Sequence, residues 1–171
     1  MKISLINTSV SEISWILELE STAREEGFIR GDHTNQHRIQ ISASSTKYLT
    51  IVLAGKPVGF VILNDINSLD KNIELGRIII GPRNAGIGQP AIKEILRYIF
   101  EDLEANRVSL DTLSHNNRAQ HIYKKLGFVQ EGLLRESLLL NNIFHDVILF
   151  GLLRRDWKKI KKRAVSNVVS I

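Results

Sequence analysis

A β-branched run that stops at a glycine–proline pair and resumes as a helix constrains this chain more than any other feature. Ile78-Ile79-Ile80 runs into Gly81-Pro82-Arg83-Asn84-Ala85-Gly86-Ile87-Gly88. Apolar residues then return at helical spacing (Ala91, Ile92, Ile95, Leu96, Ile99, Leu103), which predicts a helix to about Glu104. A strand, a glycine-rich turn and a helix N-terminus together make an anion site. The first helical N–H groups have no intrahelical partner, the helix dipole places partial positive charge there, and glycines let a phosphate approach the backbone. Arg83 adds a formal charge. The loop is therefore expected to cradle a pyrophosphate.

The other elements show what surrounds that loop. Lys2 to Ile6 predicts a first strand, and Ser11 to Glu25 a helix with Ser11 as N-cap and Gly27 as its stop. Asp32 or Thr34 caps a second short helix toward Ser42. Lys47 to Leu53 and Val58 to Leu63 form a hairpin across Ala54-Gly55-Lys56-Pro57, and Ile73 to Ile80 is the strand that feeds the loop. Arg107 to Leu113 alternates as a strand. Asn116 or Asn117 caps a helix with Ala119, Ile122, Tyr123 and Leu126 on one face, ended by Gly127. Phe128 to Leu140 and Ile143 to Leu153 are two long strands around Asn141-Asn142. This order predicts one mixed α/β sheet, with residues 1–153 as a single domain and 154–171 as a basic C-terminal tail.

Charge and composition narrow the function classes. The net charge is +5, and Arg154 to Arg163 holds seven Lys/Arg and one Asp; subtracting that +6 leaves −1 for the rest of the chain. Such a tail can bind polyanions, but a run of this kind is ordinarily a solvated helix end, so nucleic acid is not the expected partner. No cysteine is present. That excludes disulfides, thiolate metal sites and a cysteine nucleophile, and it suits a reducing compartment. No apolar run approaches the ~18 residues of a membrane span, and the N-terminus lacks a signal-peptide core. The expected location is the cytoplasm.

Gly86-x-Gly88-x-x-Ala91 by itself fits a dinucleotide fingerprint, but three hairpin strands precede the loop and only Asp111, in mid-strand, stands near the ribose-acid position. A longer pattern is more specific. Arg83-x-x-Gly86-x-Gly88, Asn116-x-Arg118-Ala119-x-x-x-Tyr123-x-Lys125-Leu126-Gly127-Phe128 and Glu131-Gly132 together resemble the GNAT superfamily of acetyl-CoA-dependent N-acetyltransferases. Glu131-Gly132-x-Leu134-Arg135 and Asn142-x-Phe144-x-Asp146 are similar to the branch containing spermidine and ribosomal-protein N-terminal acetyltransferases. The resemblance covers residues 47–153, and the first 46 only by element order.

The resemblance implies a mostly antiparallel central sheet flanked by helices, with a splayed strand pair holding acetyl-CoA. Arg83, Asn84, Ala85, Gly86, Ile87, Gly88 and Gln89 match the pyrophosphate loop. Pro90 departs from the family by removing one donor. Ile78, Ile79 and Ile80 match the strand that pairs with the pantetheine arm, and a backbone N–H near Ile79 or Ile80 would face the oxyanion. Asn116 matches the pantetheine contact or is a plain helix cap, and Ala119 and Lys125 belong to the same coenzyme-binding helix. Tyr123 matches the acid that protonates the leaving thiolate, and Glu74 the base that acts through a water.

Direct attack in a ternary complex follows from the missing cysteine. The acceptor is a polyamine, a protein N-terminus or another small amine. Glu25, Glu26, Asp32 and Glu74 would serve a polyamine only if the fold brings them together, and Asp111 is a weaker candidate for holding the amine. No metal is expected: His33 and His37 have i,i+4 spacing but lie in a polar helix entry, where histidines are usually solvated. His115 and His121 have no assigned role. Gly59 and Gly76 mark close approaches of backbone or ligand. The long last two strands offer a surface for pairing across a homodimer, and no membrane partner is expected.

Overall fold

The computed structural model of the chain describes residues 2–31, 33–81 and 85–169, with side chains to residue 163. Seven strands form one sheet in the order β1-β2-β3-β4-β5-β7-β6. These are β1 (Ile3–Asn7), β2 (Lys47–Leu53), β3 (Lys56–Asn64), β4 (Asn72–Ile80), β5 (Arg107–Leu113), β6 (Val129–Leu140) and β7 (Ile143–Leu153). Every neighbouring pair is antiparallel except β4 with β5. The two tight hairpins are where the turn chemistry places them. Ala54 and Gly55 have φ of 49° and 79°, and Asn141 and Asn142 have 51° and 61°, the left-handed backbone that suits a two-residue turn.

Side-chain alternation divides the strands between two faces. Val61 and Leu63 join a large core with Ile92, Ile95, Leu96 and Ile99 of α3 (Gly88–Arg97) and its continuation, and with Tyr123 of α4 (Asn117–Lys125). Ile62 and Phe60 point the other way, against Ile16 of α1 (Ile13–Glu25), with Tyr48 and Ile41 of α2 (Thr34–Ser42) completing that layer. The sheet is thus covered by α1 and α2 on one face and α3 and α4 on the other.

Three local expectations shift. The entry to α1 is a 3-10 turn (Val10–Glu12), where the Glu12 carboxylate accepts the Ser9 N–H at 2.7 Å, so the chain is captured at Ser9 and not at Ser11. The N-cap of α2 is His33; Thr34 is already helical, and Asp32 lies outside the described residues. The long helix continues past Arg97 as a π-helical turn, Tyr98–Asp102, which keeps Ile99 and Phe100 fully buried. At its other end α1 closes as predicted. Gly27 has φ 72°, and the Phe28 N–H reaches back to the Ala23 carbonyl at 3.0 Å. Arg154–Val169 forms α5.

Candidate active site

The site begins with one inserted residue. Ile62 pairs with Arg77 and Leu63 with Leu75, so Gly76 is an extra residue bulged out of β4. The site is tight: a Cβ there would stand 2.5 Å from the Asn64 amide nitrogen, so that side chain would have to move. Just before the bulge, β4 and β5 pair in parallel at Asn72 with Arg107, Ile73 with Val108 and Glu74 with Ser109, and then stop. A bulge adds twist and bends its strand, which turns β4 away from β5. From Leu75 to Ile80, β4 is therefore paired only on its β3 side.

That opening exposes backbone. Gly81 donates its N–H to the Val58 carbonyl on β3 at 2.7 Å. Along an antiparallel strand the N–H groups alternate sides, so Ile79 also donates toward β3 while Ile78 and Ile80 direct theirs into the opening. Of the two residues expected near the oxyanion, Ile80 has the right direction and Ile79 does not.

Side chains converge on the same opening from both faces. Ile73, Leu75, Val108 and Leu110 lie in the α3–α4 core, so Glu74 and Asp111 project to the α1–α2 face on either side of the splay. Asn64 donates to the Glu74 carboxylate at 3.0 Å. Asp111 is open to water at one side, but the protein flanking it removes solvation. That loss first, and the negative charge of Glu74 second, hold its carboxyl above the usual carboxylate range.

Tyr123 comes from the opposite face. Asn116 caps α4 by accepting the Ala119 N–H at 3.1 Å, which is the plain structural role foreseen for it and leaves its amide N–H groups available. The Tyr123 ring, 7% exposed, packs against Phe128 and Phe150 with centroids 5.7 and 5.9 Å away. Among the described residues its hydroxyl has no hydrogen-bond partner. Burial first, and the charge of Asp111 second, push it up to about 12, so it stays protonated at neutral pH.

Arg83 and Asn84 lie outside the described residues. Beyond them, Ala85 and Gly86 are exposed, Gly86 has φ 69°, and a Cβ on it would meet nothing within 4 Å. The Ile87 side chain is buried in the core, leaving only its backbone for a ligand. Pro90 has no N–H and Ala91 already donates to the Ile87 carbonyl at 2.9 Å. The free donors of the α3 N-terminus are therefore Gly88 and Gln89. Ala119 packs against the core, and Lys125 is exposed at the last turn of α4.

Two arrangements escaped the sequence. Glu20 is fully buried, 2.5 Å from Arg77 Nη1 and 3.3 Å from His37 Nε2; His37 is also fully buried, with Nδ1 3.0 Å from the Tyr48 hydroxyl, which donates to Gln40 at 2.5 Å. The solvated His37 expected from a polar helix entry is thus corrected, because α2 turns that ring onto a buried carboxylate. A signal existed in α1: Glu20 falls on the face defined by Ile13, Ile16 and Ala23. The network ties α1, α2 and β2 to the first residue after the bulge. Secondly, His115 lies between Phe28 (5.9 Å, stacked) and His145 (5.1 Å), and Arg30 donates to the Leu139 carbonyl at 3.1 Å. The α1–α2 connection is therefore fastened to the β6–β7 hairpin. Glu25 and Glu26 end α1 at the surface. No cluster of three metal-ligating side chains occurs among the described residues.

The sheet thus opens between two parallel neighbours, with backbone donors of β4 directed into the opening. Comparison with known proteins gives the family. Residues 9–129 match the model described as the acetyltransferase (GNAT) domain. The spermidine N(1)-acetyltransferase of Vibrio cholerae is 31% identical over 125 residues, 72% of this chain and 67% of that protein. YdaF of Bacillus subtilis (strain 168), a candidate ribosomal N-acetyltransferase, is 30% identical over 105 residues, 61% of this chain and 57% of that protein. The aligned stretch thus spans little more than half the length of YdaF. Among solved structures, the V. cholerae spermidine N-acetyltransferase in complex with CoA and spermine superposes with a TM-score of 0.81 at 22% identity, covering 91% of this chain and 98% of that one. The chain belongs to the GNAT acetyltransferase family, whose enzymes move an acetyl group from acetyl-CoA to an amine.

Proposed function

We propose that residues 1–153 carry out acetyl-CoA-dependent N-acetylation of a cationic primary amine, with a polyamine as the favoured acceptor and a protein N-terminus as the alternative. One observation carries the acceptor class. Glu74 and Asp111 both project to the α1–α2 face beside the β4–β5 opening, and two carboxylates there would attract a multiply charged amine more than a singly charged one. The spermidine acetyltransferase among the relatives supports the same reading.

The chemistry follows from the positions. Ile78 and Ile80 pair with the pantetheine arm, and the amides of Ala85, Gly86, Ile87, Gly88 and Gln89, with Arg83 and Asn84, receive the pyrophosphate. Ala119 and Lys125 complete the coenzyme side, with the free amide of Asn116 on the arm. Glu74 takes a proton from the acceptor through a water. The neutral amine nitrogen then bonds to the thioester carbonyl carbon, and the oxyanion forms toward the Ile80 N–H. When the C–S bond breaks, the sulfur leaves as thiolate and takes the Tyr123 proton, while the nitrogen of the new amide gives up its remaining surplus proton to water, from which the Tyr123 hydroxyl is restored. No acyl-enzyme step is needed, consistent with the absence of cysteine.

Among the described residues no helix is long and apolar enough to cross a membrane; we place the enzyme in the cytoplasm, and as a homodimer through β6 and β7. Release of free coenzyme A, followed with a thiol-reactive dye over a panel of polyamines, monoamines and peptides, tests the reaction. The protein itself gives no thiol background. Release with polyamines at the highest kcat/KM is expected; peptides outrunning polyamines would overturn the acceptor class, and no release with any amine would overturn the reaction.

A further inference from the structure

Among the described residues Glu20 is the only carboxylate that the fold buries completely. Taking an ion out of water is costly, and a buried pair seldom recovers more than that cost. Stability alone therefore does not explain a glutamate on the apolar face of α1. Its surroundings point to β4. One carboxylate oxygen is 2.5 Å from Arg77 Nη1 and the other 3.3 Å from His37 Nε2, and a Cβ on Gly31 would stand 3.5 Å from that second oxygen. α1, α2 and the chain between them thus close around Glu20, and Arg77 is the strand residue that it meets.

Arg77 sits where the strand most needs support. It is the first residue after the bulge, and from there β4 is paired only with β3. Its register partner is Ile62, and opposed residues of an antiparallel pair share a face, so the Arg77 side chain rises on the α1 side. Ile79, two residues on, packs in the same layer as Ile16 of α1. The helix also meets the end of the segment, since a Cβ on Gly81 would stand 3.1 Å from Leu19 Cδ2. α1 therefore covers Arg77, Ile79 and Gly81, while Ile78 and Ile80 between them direct their N–H groups into the opening.

We infer that Glu20 is a positioning residue for acetyl transfer. It holds Arg77 so that the free edge of β4 presents the Ile78 and Ile80 N–H groups where an extended coenzyme arm and the oxyanion need them. This role rests on the proposed function. Glu20 is sealed from solvent, so it acts through Arg77 and never on the reacting atoms. A strand paired on one side only can tilt out of the sheet, and the ion pair, with the helix packed above it, removes that freedom. Donors aimed at an oxyanion stabilise it only when they are fixed in place before the reaction, so a loosened edge weakens both coenzyme binding and turnover.

The test uses the full chain, with coenzyme A binding measured by calorimetry beside steady-state acetyl transfer. Glu20→Gln should weaken coenzyme A about tenfold and lower kcat about tenfold, with a smaller change in acceptor KM. A merely structural role would lower the melting temperature and the folded fraction, which scales kcat but leaves the dissociation constant of the folded molecules where it was. Arg77→Met should match Glu20→Gln. The double variant Glu20→Gln/Arg77→Met should stay near tenfold, because both residues act through one contact, whereas independent roles would multiply to about a hundredfold. The double variant also removes both charges of the pair together, so it serves where a single variant does not fold. Glu18→Gln, which changes an exposed carboxylate of the same helix, should bind as the wild type does. Unchanged coenzyme A affinity in the folded variants, a hundredfold loss in the double variant, or an equal loss in Glu18→Gln would each overturn the positioning role. A wild-type protein that binds no coenzyme A would overturn the proposed function, and the role of Glu20 with it.

Discussion

Removing the Tyr123 hydroxyl should separate chemistry from binding. With Tyr123→Phe, turnover is expected to fall by about two orders of magnitude, the size of a lost general acid, while the acetyl-CoA dissociation constant stays within about twofold. Equal turnover in rapid-quench measurements would remove the residue from the mechanism. The same hydroxyl has a signature in stability. Its folded value of about 12 lies above the ordinary tyrosine value of about 10. The native state therefore holds the proton more tightly than the unfolded chain. The associated stability is complete below pH 10 and is lost as pH rises through 12, by about 2–3 kcal/mol. Urea midpoints of the wild-type protein should fall over that window more than those of Tyr123→Phe, and parallel curves would show that the group titrates normally. Asp111 is the second residue with a distinct expectation. Asp111→Asn should raise KM for a polyamine by about tenfold and for a monoamine much less, because one of two facing carboxylates is gone. An equal rise for both amines would assign Asp111 to structure.

Gly59 of β3 and Gly76 of β4 meet different obstacles. A Cβ on Gly59 would stand 2.3 Å from the Ile79 carbonyl, which is backbone, whereas on Gly76 it would meet the Asn64 amide at 2.5 Å. A side-chain amide can rotate and a strand cannot. Gly59→Ala should therefore cost about 2–3 kcal/mol and displace the strand that carries Ile78 and Ile80, weakening acetyl-CoA binding. Gly76→Ala should cost less stability but disturb Asn64 and Glu74, showing first in acceptor KM. A larger melting-temperature loss at Gly76 than at Gly59 would contradict this. Both glycines were legible in the sequence as close approaches, and every strand was placed within two residues, because β-branched runs and paired turn residues announce themselves locally. The splay itself was known only through resemblance: nothing in Asn72–Ile80 or Arg107–Leu113 says that pairing stops after Glu74. Nor could Glu20 and His37 be matched from sequence, since seventeen positions separate them and only the packing of α2 on α1 brings them together. Local patterns specify elements; a contact between two helices depends on how both settle on the sheet.

The whole molecule leaves apolar surface at one end. Leu139 and Phe144 are register partners on β6 and β7, 44% and 62% exposed, and Ile143 beside them is 60% exposed. β6 is also an outer strand of the sheet. Such a surface suits a second copy of the chain. Sedimentation should show the wild-type protein as a dimer and Leu139→Lys/Phe144→Lys as a folded monomer; a monomeric wild type would end that assignment.

The bulge at Gly76 has one more consequence. By parting β4 from β5 it places unpaired strand edge in the middle of a sheet, where most proteins confine such edges to the rim or cover them. On the proposed function, an extended coenzyme arm laid along Ile78 to Ile80 would complete the ladder, acting as a missing strand as well as a reagent. The coenzyme-free enzyme should then be the form that aggregates on heating. Saturating coenzyme A should raise the temperature at which light scattering begins, beyond what the same molar excess of a nucleotide lacking the pantetheine arm achieves.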